Sequence, residues 1–391
     1  MTALRDPSPP APTPPIGLRT ALVHDWFQGF HGAERVVETM RAGLFPIENP
    51  PEIFTFHAAR ELLPPPLAAS IVQQSRLASL PGVRQRGHRP GRWRYLLPYM
   101  QSYFRRIDLS NFELVIASSH ACAINVRPPR GTPFVCYCHT PMRYAWLPSV
   151  DQRAARGAAG FAVRAFRRRL RRNDAAAAAR PDVIVANSAA VRDRIRRFYA
   201  REAVIVHPPV DVDRFRPDAE KEEGLFLWVH RLVAYKRPEL VVEAFRGLPF
   251  RLIMVGIGPL EGGLRARLPP NVELRGWLPR LELEELYQRC SGFLHVAEED
   301  FGITLVEALA AGAPVIALGR GGALDIVRDG IDGVLVERPE IGDVQAAIRR
   351  VAAIRWDAGE LAQRASEFSR PRFLERFGAV VSEAVSTYRA S

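Results

Sequence analysis

Glu299-Asp-Phe-Gly-Ile-Thr-Leu-Val-Glu307-Ala, continued by Leu309-Ala-Ala-Gly-Ala-Pro314-Val-Ile-Ala, is the stretch on which the reading of this chain turns. Two carboxylates eight positions apart bracket a Phe-Gly-Ile turn that opens a short helix. Gly312-Ala-Pro314 stops that helix and a strand follows. A helix N-terminus offers backbone N–H groups and partial positive charge, a seat for phosphate. Carboxylates beside such a seat repel bare phosphate and suit a ligand with phosphate at one end and hydroxyls at the other. A nucleotide-sugar has that composition.

The bulk numbers set the frame. At 391 residues the chain is too long for one ordinary core, which implies two domains. With 47% hydrophobic and 25% charged residues it has the composition of a soluble globular protein. The charge is unevenly placed. Residues 1–207 hold 30 arginines, no lysine and 14 acids, a net +16, whereas residues 208–391 hold 24 basic and 28 acidic residues, a net −4. A basic half points to an anionic partner surface, nucleic acid or acidic lipid, unless it is compositional drift in an Ala- and Arg-rich chain. Four cysteines, at 122, 136, 138 and 290, are too sparse for a disulfide framework and fit a reducing compartment. Cys136-Tyr-Cys138-His139 resembles part of a metal site, but no second cluster supplies a fourth ligand, so buried thiols on a strand are expected instead. Residues 1–18 lack the apolar segment of a signal peptide and read as a disordered Pro-rich tail. No apolar run approaches 18 residues, so no membrane span is expected.

Working outward, short apolar β runs alternate with helical patterns, the signature of doubly wound α/β domains. Strands are expected at Thr20–His24, Leu114–Ser118, Phe134–Cys138 and Val183–Ala186, with Gly29 to Gly32 a loop before a helix through Glu34. Asn187-Ser188 caps a helix to about Tyr199. The stretch from Val204 through His207-Pro-Pro to Asp213 carries the proline punctuation of a connector. After it the pattern restarts, with strands at Leu225–Val229, Arg251–Val255, Gly292–Val296, Pro314–Ala317 and Val334–Val336. Pro371-Arg-Phe precedes a last amphipathic helix of about 18 residues. The organisation expected is therefore a first domain over 19–207, a second over 208–372, and a helix over about 373–391 packing back on the first. A ligand would lie in the cleft between two parallel sheets.

Ordered motifs then bring a family into view. They are His24-Asp-Trp with Gly29…Gly32-Ala-Glu-Arg; Tyr137-Cys-His139-Thr-Pro-Met-Arg-Tyr-Ala-Trp146; Asn187-Ser188; His207-Pro-Pro-Val-Asp; Arg231…Lys236; Gly256-Ile-Gly258-Pro; and Glu299…Glu307. In this order, from about Thr20 onward, the chain resembles retaining glycosyltransferases of the GT-B fold, group-4 type. GT-B is an α/β architecture of two Rossmann-like doubly wound domains facing each other across a cleft. The His139-to-Trp146 stretch looks most like bacterial mannosyltransferases that build surface polysaccharides.

The resemblance implies roles. Arg231 and Lys236 would stabilise the departing diphosphate as fixed cations, without a required divalent metal. Glu307 would take the ribose diol, Glu299 the donor sugar, and the backbone N–H groups of Phe301, Gly302 and Ile303 sugar hydroxyls or phosphate. His139 would stand beside the donor sugar; Gly32, Gly256 and Gly258 would let loops approach the donor. Relatives usually carry a second glycine where His31 stands, so either His31 adds a side chain to the phosphate site or the loop shifts. Asp325 stands where relatives often have Glu. Asp211-Val-Asp213 matches the metal motif of the single-sheet glycosyltransferases, but lies in the proline-marked joint and reads as hinge.

Two basic stretches remain. Gly82 to Arg106 holds seven arginines and no acid, Gln152 to Arg172 eight arginines and no acid, both interleaved with aromatic or apolar residues. They suit base stacking, an anionic lipid surface or an ordinary solvated helix face. With the resemblance, the membrane is preferred, and Arg92, Trp93, Arg94, Arg143, Arg167 and Arg168 are the candidate acceptor or membrane face. The expected function is transfer of a hexose, foremost mannose from GDP-mannose, to a lipid-linked or polysaccharide glycan at the cytoplasmic face of a membrane. The nucleotide-sugar is a co-substrate and no cofactor or metal is expected. The alternatives are the same fold with a UDP-sugar donor, or a non-catalytic basic protein binding nucleic acid or membrane.

Overall fold

The computed structural model describes residues 16–79, 96–147 and 157–390. The chain divides into two compact units. The first takes the chain through Ala186, Arg194–Val206 and the chain from Pro371 onward; the second takes Asn187–Asp193 and His207–Arg370.

The first unit holds β1 (Thr20–His24), β2 (Glu52–Thr55), β3 (Ile71–Gln74), β4 (Leu114–Ser119), β5 (Phe134–Cys138), β6 (Val183–Ala186) and β7 (Val204–Ile205). They form one sheet in the order β3-β2-β1-β4-β5-β6-β7, every pairing parallel. The central strands are buried along their whole length, as strands covered by helices on both faces must be. The Arg370–Ala390 helix belongs to this unit's core: Phe373, Phe377, Val381 and Ala384 recur on one helical face and are all buried there. Each phenylalanine so buried contributes roughly 2–3 kcal/mol.

In the second unit, β8 (Glu222–Val229), β9 (Arg251–Val255), β10 (Val272–Leu274), β11 (Cys290–His295), β12 (Val315–Leu318) and β13 (Gly333–Val336) form a parallel sheet in the order β10-β9-β8-β11-β12-β13. Alternation along β8 divides its side chains between two cores. Leu225 and Leu227 join the cluster with Phe293 and Leu305; Phe226 and Trp228 join that with Phe245 and Ile348.

The sequence reading passes over β2, β3, β7 and β10, all short, and takes Val204–Ile205 as connector. The helix expected near Glu34 begins already at Gly32. In both sheets strand order reverses once, between β1 and β4 and between β8 and β11. Those reversals open crevices at the strands' carboxyl ends.

Candidate functional site

In the second unit β8 runs out into His230-Arg231 and β9 into Gly256. His230 N–H donates to the Val255 carbonyl at 3.1 Å, and Leu232 N–H to that of Ile257 at 3.0 Å. These loops lie backbone to backbone. Gly256 has φ +150°, and a Cβ there would strike the His230 carbonyl; one at Gly258 would strike the backbone of Leu232. Only glycine fits either position.

Lys236 closes a single 3₁₀ turn, Ala234–Lys236, and the chain leaves it through Arg237, a non-glycine residue in the left-handed region at φ 56°. Such a residue stores on the order of 1 kcal/mol and persists only where its surroundings demand it. Here it turns the chain into the Pro238–Phe245 helix and leaves Lys236 buried, at 7% exposure, in an ion pair with Glu299. Arg231, five residues earlier, is exposed.

Glu299 is fixed through its main chain as well. Gly322 N–H donates to its carbonyl at 2.9 Å, and a Cβ at Gly321 would collide with that carbonyl. Gly302, at φ 114°, caps the Ile303–Ala310 helix; Leu305 N–H donates to its carbonyl at 2.9 Å, and the N–H groups of Ile303 and Thr304 precede any intrahelical acceptor. Glu307 lies on that helix and accepts from the Tyr287 hydroxyl at 3.2 Å. Burial first, and then the charge of Glu307, push the Tyr287 phenol well up, so it stays a donor. The Phe301 side chain is core, 4% exposed, packed against His207 and Phe368; its main chain alone remains for a ligand.

Two histidines that the sequence reading passes over complete this crevice. His230 follows β8, His295 ends β11, and their rings meet edge-on at 4.5 Å between centroids. His295 Nδ1 lies 3.2 Å from Thr304 Oγ1. Burial holds both imidazoles neutral, His295 and Lys236 adding to the effect on His230 and Lys236 to that on His295.

The first unit's crevice is lined by histidines. Ser118 Oγ stands 2.8 Å from His139 Nε2 and 3.1 Å from His24 Nδ1. Burial takes the His24 pKa down to about 3 and pushes His139 well below the usual histidine value. His139 Nε2 is engaged by the Ser118 hydroxyl. Asp25, fully buried, accepts four consecutive backbone N–H groups, from His120, Ala121, Cys122 and Ala123, at 2.5–2.9 Å. The His120 ring lies 3.3 Å from the same carboxylate. Gly32 is the first residue of the Gly32–Leu44 helix, and His31, its N-cap, gives its backbone N–H to the Glu34 carboxylate at 3.1 Å. The His31 ring folds over Gly29, where a Cβ would come within 2.8 Å of Nε2.

Of the candidate acceptor or membrane face, Arg92, Trp93 and Arg94 lie outside the described residues. Arg143 opens the short Arg143–Trp146 helix; Arg167 and Arg168 lie on the Gly157–Ala178 helix, Arg168 exposed. Asp211, in the metal-like Asp-x-Asp, lies 3.4 Å from Arg370 and 3.8 Å from Arg214. Asp325 accepts from Ala189 N–H at 2.7 Å and lies 3.1 Å from His207 Nε2, tying both segments that enter the second unit to its body. All four cysteines are buried and outside any disulfide. Among the described residues no group of three or more His, Cys, Asp or Glu is disposed to hold a metal ion, and no helix is long and apolar enough to cross a membrane.

The pattern of Glycosyltransferase Family 4 matches residues 30–214, and that of Glycosyl transferases group 1 matches residues 209–372. Residues 30–214 thus form a Glycosyltransferase Family 4 domain and residues 209–372 a Glycosyl transferases group 1 domain. The Lys236–Glu299 pair and Glu307 fall within the group 1 match; Ser118, His120 and His139 of the histidine-lined crevice fall within the family 4 match, and His24 and Asp25 precede it. Among characterised relatives, the D-inositol 3-phosphate glycosyltransferase of Mycolicibacterium smegmatis is 31% identical over 213 residues, 48% of each chain. That of Geodermatophilus obscurus is 32% identical over 249 residues, 54% of this chain and 55% of the relative. The chain spans about half the length of the curated relatives it matches. The solved structure of Anabaena Alr3699/HepE in complex with UDP superposes with a TM-score of 0.67 at 17% identity, over 93% of this chain and all of the other. Its complex with UDP-glucose gives 0.65 at 17% identity, over 94% and 99%. At that identity the likeness concerns the fold, which is GT-B.

Proposed function

We propose that this chain is a retaining glycosyltransferase that moves a hexose from a nucleoside-diphosphate sugar to a glycan acceptor, with no divalent metal required. The observation that carries the reading is the buried Lys236–Glu299 pair at the switch point of the group 1 domain, with Glu307 eight positions on, held by Tyr287. Arg231 and Lys236 supply positive charge where the leaving diphosphate gains negative charge. Glu299 and Glu307, which only accept hydrogen bonds when ionised, suit the hydroxyls of sugar and ribose. In the step we infer, the bond from the anomeric carbon to the diphosphate oxygen breaks with its electrons going to the diphosphate. The acceptor oxygen bonds the same face of that carbon, and its proton passes to the departing diphosphate oxygen. No protein nucleophile is needed, and trapping a covalent glycosyl adduct on wild-type Glu299 would refute this.

For the donor, the resemblance to surface-polysaccharide mannosyltransferases supports GDP-mannose. A UDP-sugar is the second reading, favoured by the solved neighbours that carry UDP and UDP-glucose. The acceptor we infer is a lipid-linked or polysaccharide glycan met at the anionic inner face of a membrane. The +16 net charge of residues 1–207 and the exposed Arg168, Arg169 and Arg172 beside a 37%-exposed Phe166 support that surface.

Titration with GDP, UDP, ADP and dTDP in the absence of divalent metal tests the reading, with Glu307→Ala as control. Binding of GDP that is lost in the variant supports GDP-mannose, and preference for UDP moves the assignment to a UDP-sugar. Binding of none of the four refutes the enzyme reading.

A further inference from the structure

The His230–His295 pair has no part in the reading above, yet it lies where strand order reverses. β8 and β11 are neighbours in the sheet, and the His230 ring reaches from the end of β8 to the His295 ring at the end of β11. Trp228 backs it at 4.9 Å. His295 is partnered, by Thr304. His230 is not: its Nε2 is buried and finds no hydrogen-bond partner among the described residues. A buried polar atom left so costs about 1–3 kcal/mol, and a native structure retains one where something else supplies the bond.

We propose that His230 binds the diphosphate of the nucleotide ligand through Nε2, as a third group beside Arg231 and Lys236. Three observations converge on this. The residue precedes Arg231 directly and its main chain is locked to the β9 end by the Val255 bond, so the ring is rigidly placed at the crevice. A cation already stands close by in Lys236, buried against Glu299. An uncharged imidazole can then donate an N–H to a phosphate oxygen without a second buried positive charge beside the ammonium, which like-charge repulsion would oppose. The inference rests on the nucleotide-sugar reading and deepens it by one further contact to the diphosphate.

The test uses the full chain and its His230→Phe and His230→Asn variants. Phenylalanine keeps the ring volume against Trp228 and His295 but removes the nitrogen; asparagine returns an N–H donor. GDP and UDP are titrated directly, and inorganic pyrophosphate and the two free nucleosides are used to displace the bound nucleotide. The expected result is that His230→Phe weakens the nucleoside diphosphate and pyrophosphate about tenfold or more, the loss of a bond to a charged partner. Nucleoside competition stays unchanged, the melting temperature stays within a few degrees, and His230→Asn recovers part of the loss. Wild-type affinity for diphosphate and pyrophosphate in His230→Phe overturns the inference and leaves the nucleotide-sugar reading standing. So does an equal loss for nucleosides together with a fall in melting temperature in both variants, since that marks a packing role. If the wild-type protein binds neither nucleotide, the reading itself fails and the inference falls with it.

Discussion

Replacing Asp25 by asparagine should destabilise the first unit by about 3–5 kcal/mol. The carboxylate is 0% exposed and shares four main-chain donors evenly. Oδ2 accepts from His120 and Ala121 at 2.6 and 2.9 Å, Oδ1 from Cys122 and Ala123 at 2.5 and 2.7 Å. An asparagine of nearly the same size keeps one oxygen and turns an NH₂ group towards the other two donors. Two charge-assisted bonds disappear and two N–H groups are left buried, at about 1.5–3 kcal/mol for each bond to a charged group. The assay is urea unfolding of the full chain, with hydrogen exchange at the amides of residues 120–123 as the local readout, because the two units need not unfold together. With a slope of about 2–3 kcal/mol per molar urea, the transition of the first unit should move down by roughly 1–2.5 M. Those four amides should lose protection more than the amides of β2. A variant whose midpoint stays within about 0.3 M of wild type, with the four amides still protected, would refute the claim that this carboxylate organises the turn after β4.

Four further expectations can be checked directly. Lys236→Ala should lower donor-sugar turnover about 10²–10³-fold, the usual effect of losing one fixed charge-stabilising group, measured as sugar transfer or donor hydrolysis at saturating donor. Tyr287→Phe should weaken nucleotide binding only several-fold in calorimetry, since Glu307 keeps its place on the helix and loses one neutral donor. Gly256→Ala should cost about 2–3 kcal/mol in denaturant unfolding and abolish nucleotide binding, because its Cβ would meet the His230 carbonyl at a φ that alanine avoids. Glu34 and Asp174 are buried acids, each pushed up to about 7 by desolvation. Each therefore keeps a proton in the folded state that the unfolded chain releases above the ordinary carboxylate range. Their contribution to stability is full in acid and is lost as pH rises from about 4 through 7. Asp174→Asn, which retains an oxygen for Trp146 Nε1 and the Tyr199 hydroxyl, should flatten that decline in unfolding experiments at pH 4 and pH 8.

How much of this was legible depended on chain distance. The Glu299-to-Ala317 stretch carried its own helix start, stop and following strand, and the structure has all three at nearly those positions. Strands with long apolar runs, such as Leu114–Ser119, declared themselves. The edge strand Ile71–Gln74 did not, since two of its four residues are exposed and polarity there resembles a loop. Main-chain geometry was hidden for a different reason. Nothing in Gly321-Gly322 announces that its backbone touches the Glu299 carbonyl, and nothing in His24-Asp25 announces that the carboxylate collects amides almost a hundred residues away. His31 is intermediate. The missing second glycine was visible as a departure, but its outcome, an imidazole folded over Gly29 at a helix N-cap, required coordinates.

Histidines recur at strand ends in both units. Five of the nine in the chain lie at or just past the carboxyl ends of β1, β4, β5, β8 and β11, the strands that flank or adjoin the two reversals of strand order. The two crevices nevertheless differ in charge. In the first unit Asp25 is saturated by main-chain donors and the other buried acids described there, Glu34 and Asp174, are pushed up to about 7 by burial, so what its crevice offers a ligand comes from imidazole and hydroxyl groups. In the group 1 domain a lysine, an arginine and Glu299 stand on the loops that follow the histidine pair, and Glu307 lies on the helix beyond. Under the proposed function that division is what the chemistry demands. A glycan acceptor brings only hydroxyls, which neutral groups can orient without a large desolvation cost. A nucleotide-sugar donor brings two phosphates whose charge grows as the sugar leaves, and only a half-site already holding fixed cations can meet that growth. Exchanging the characters of the two crevices would leave the fold intact and remove the reaction.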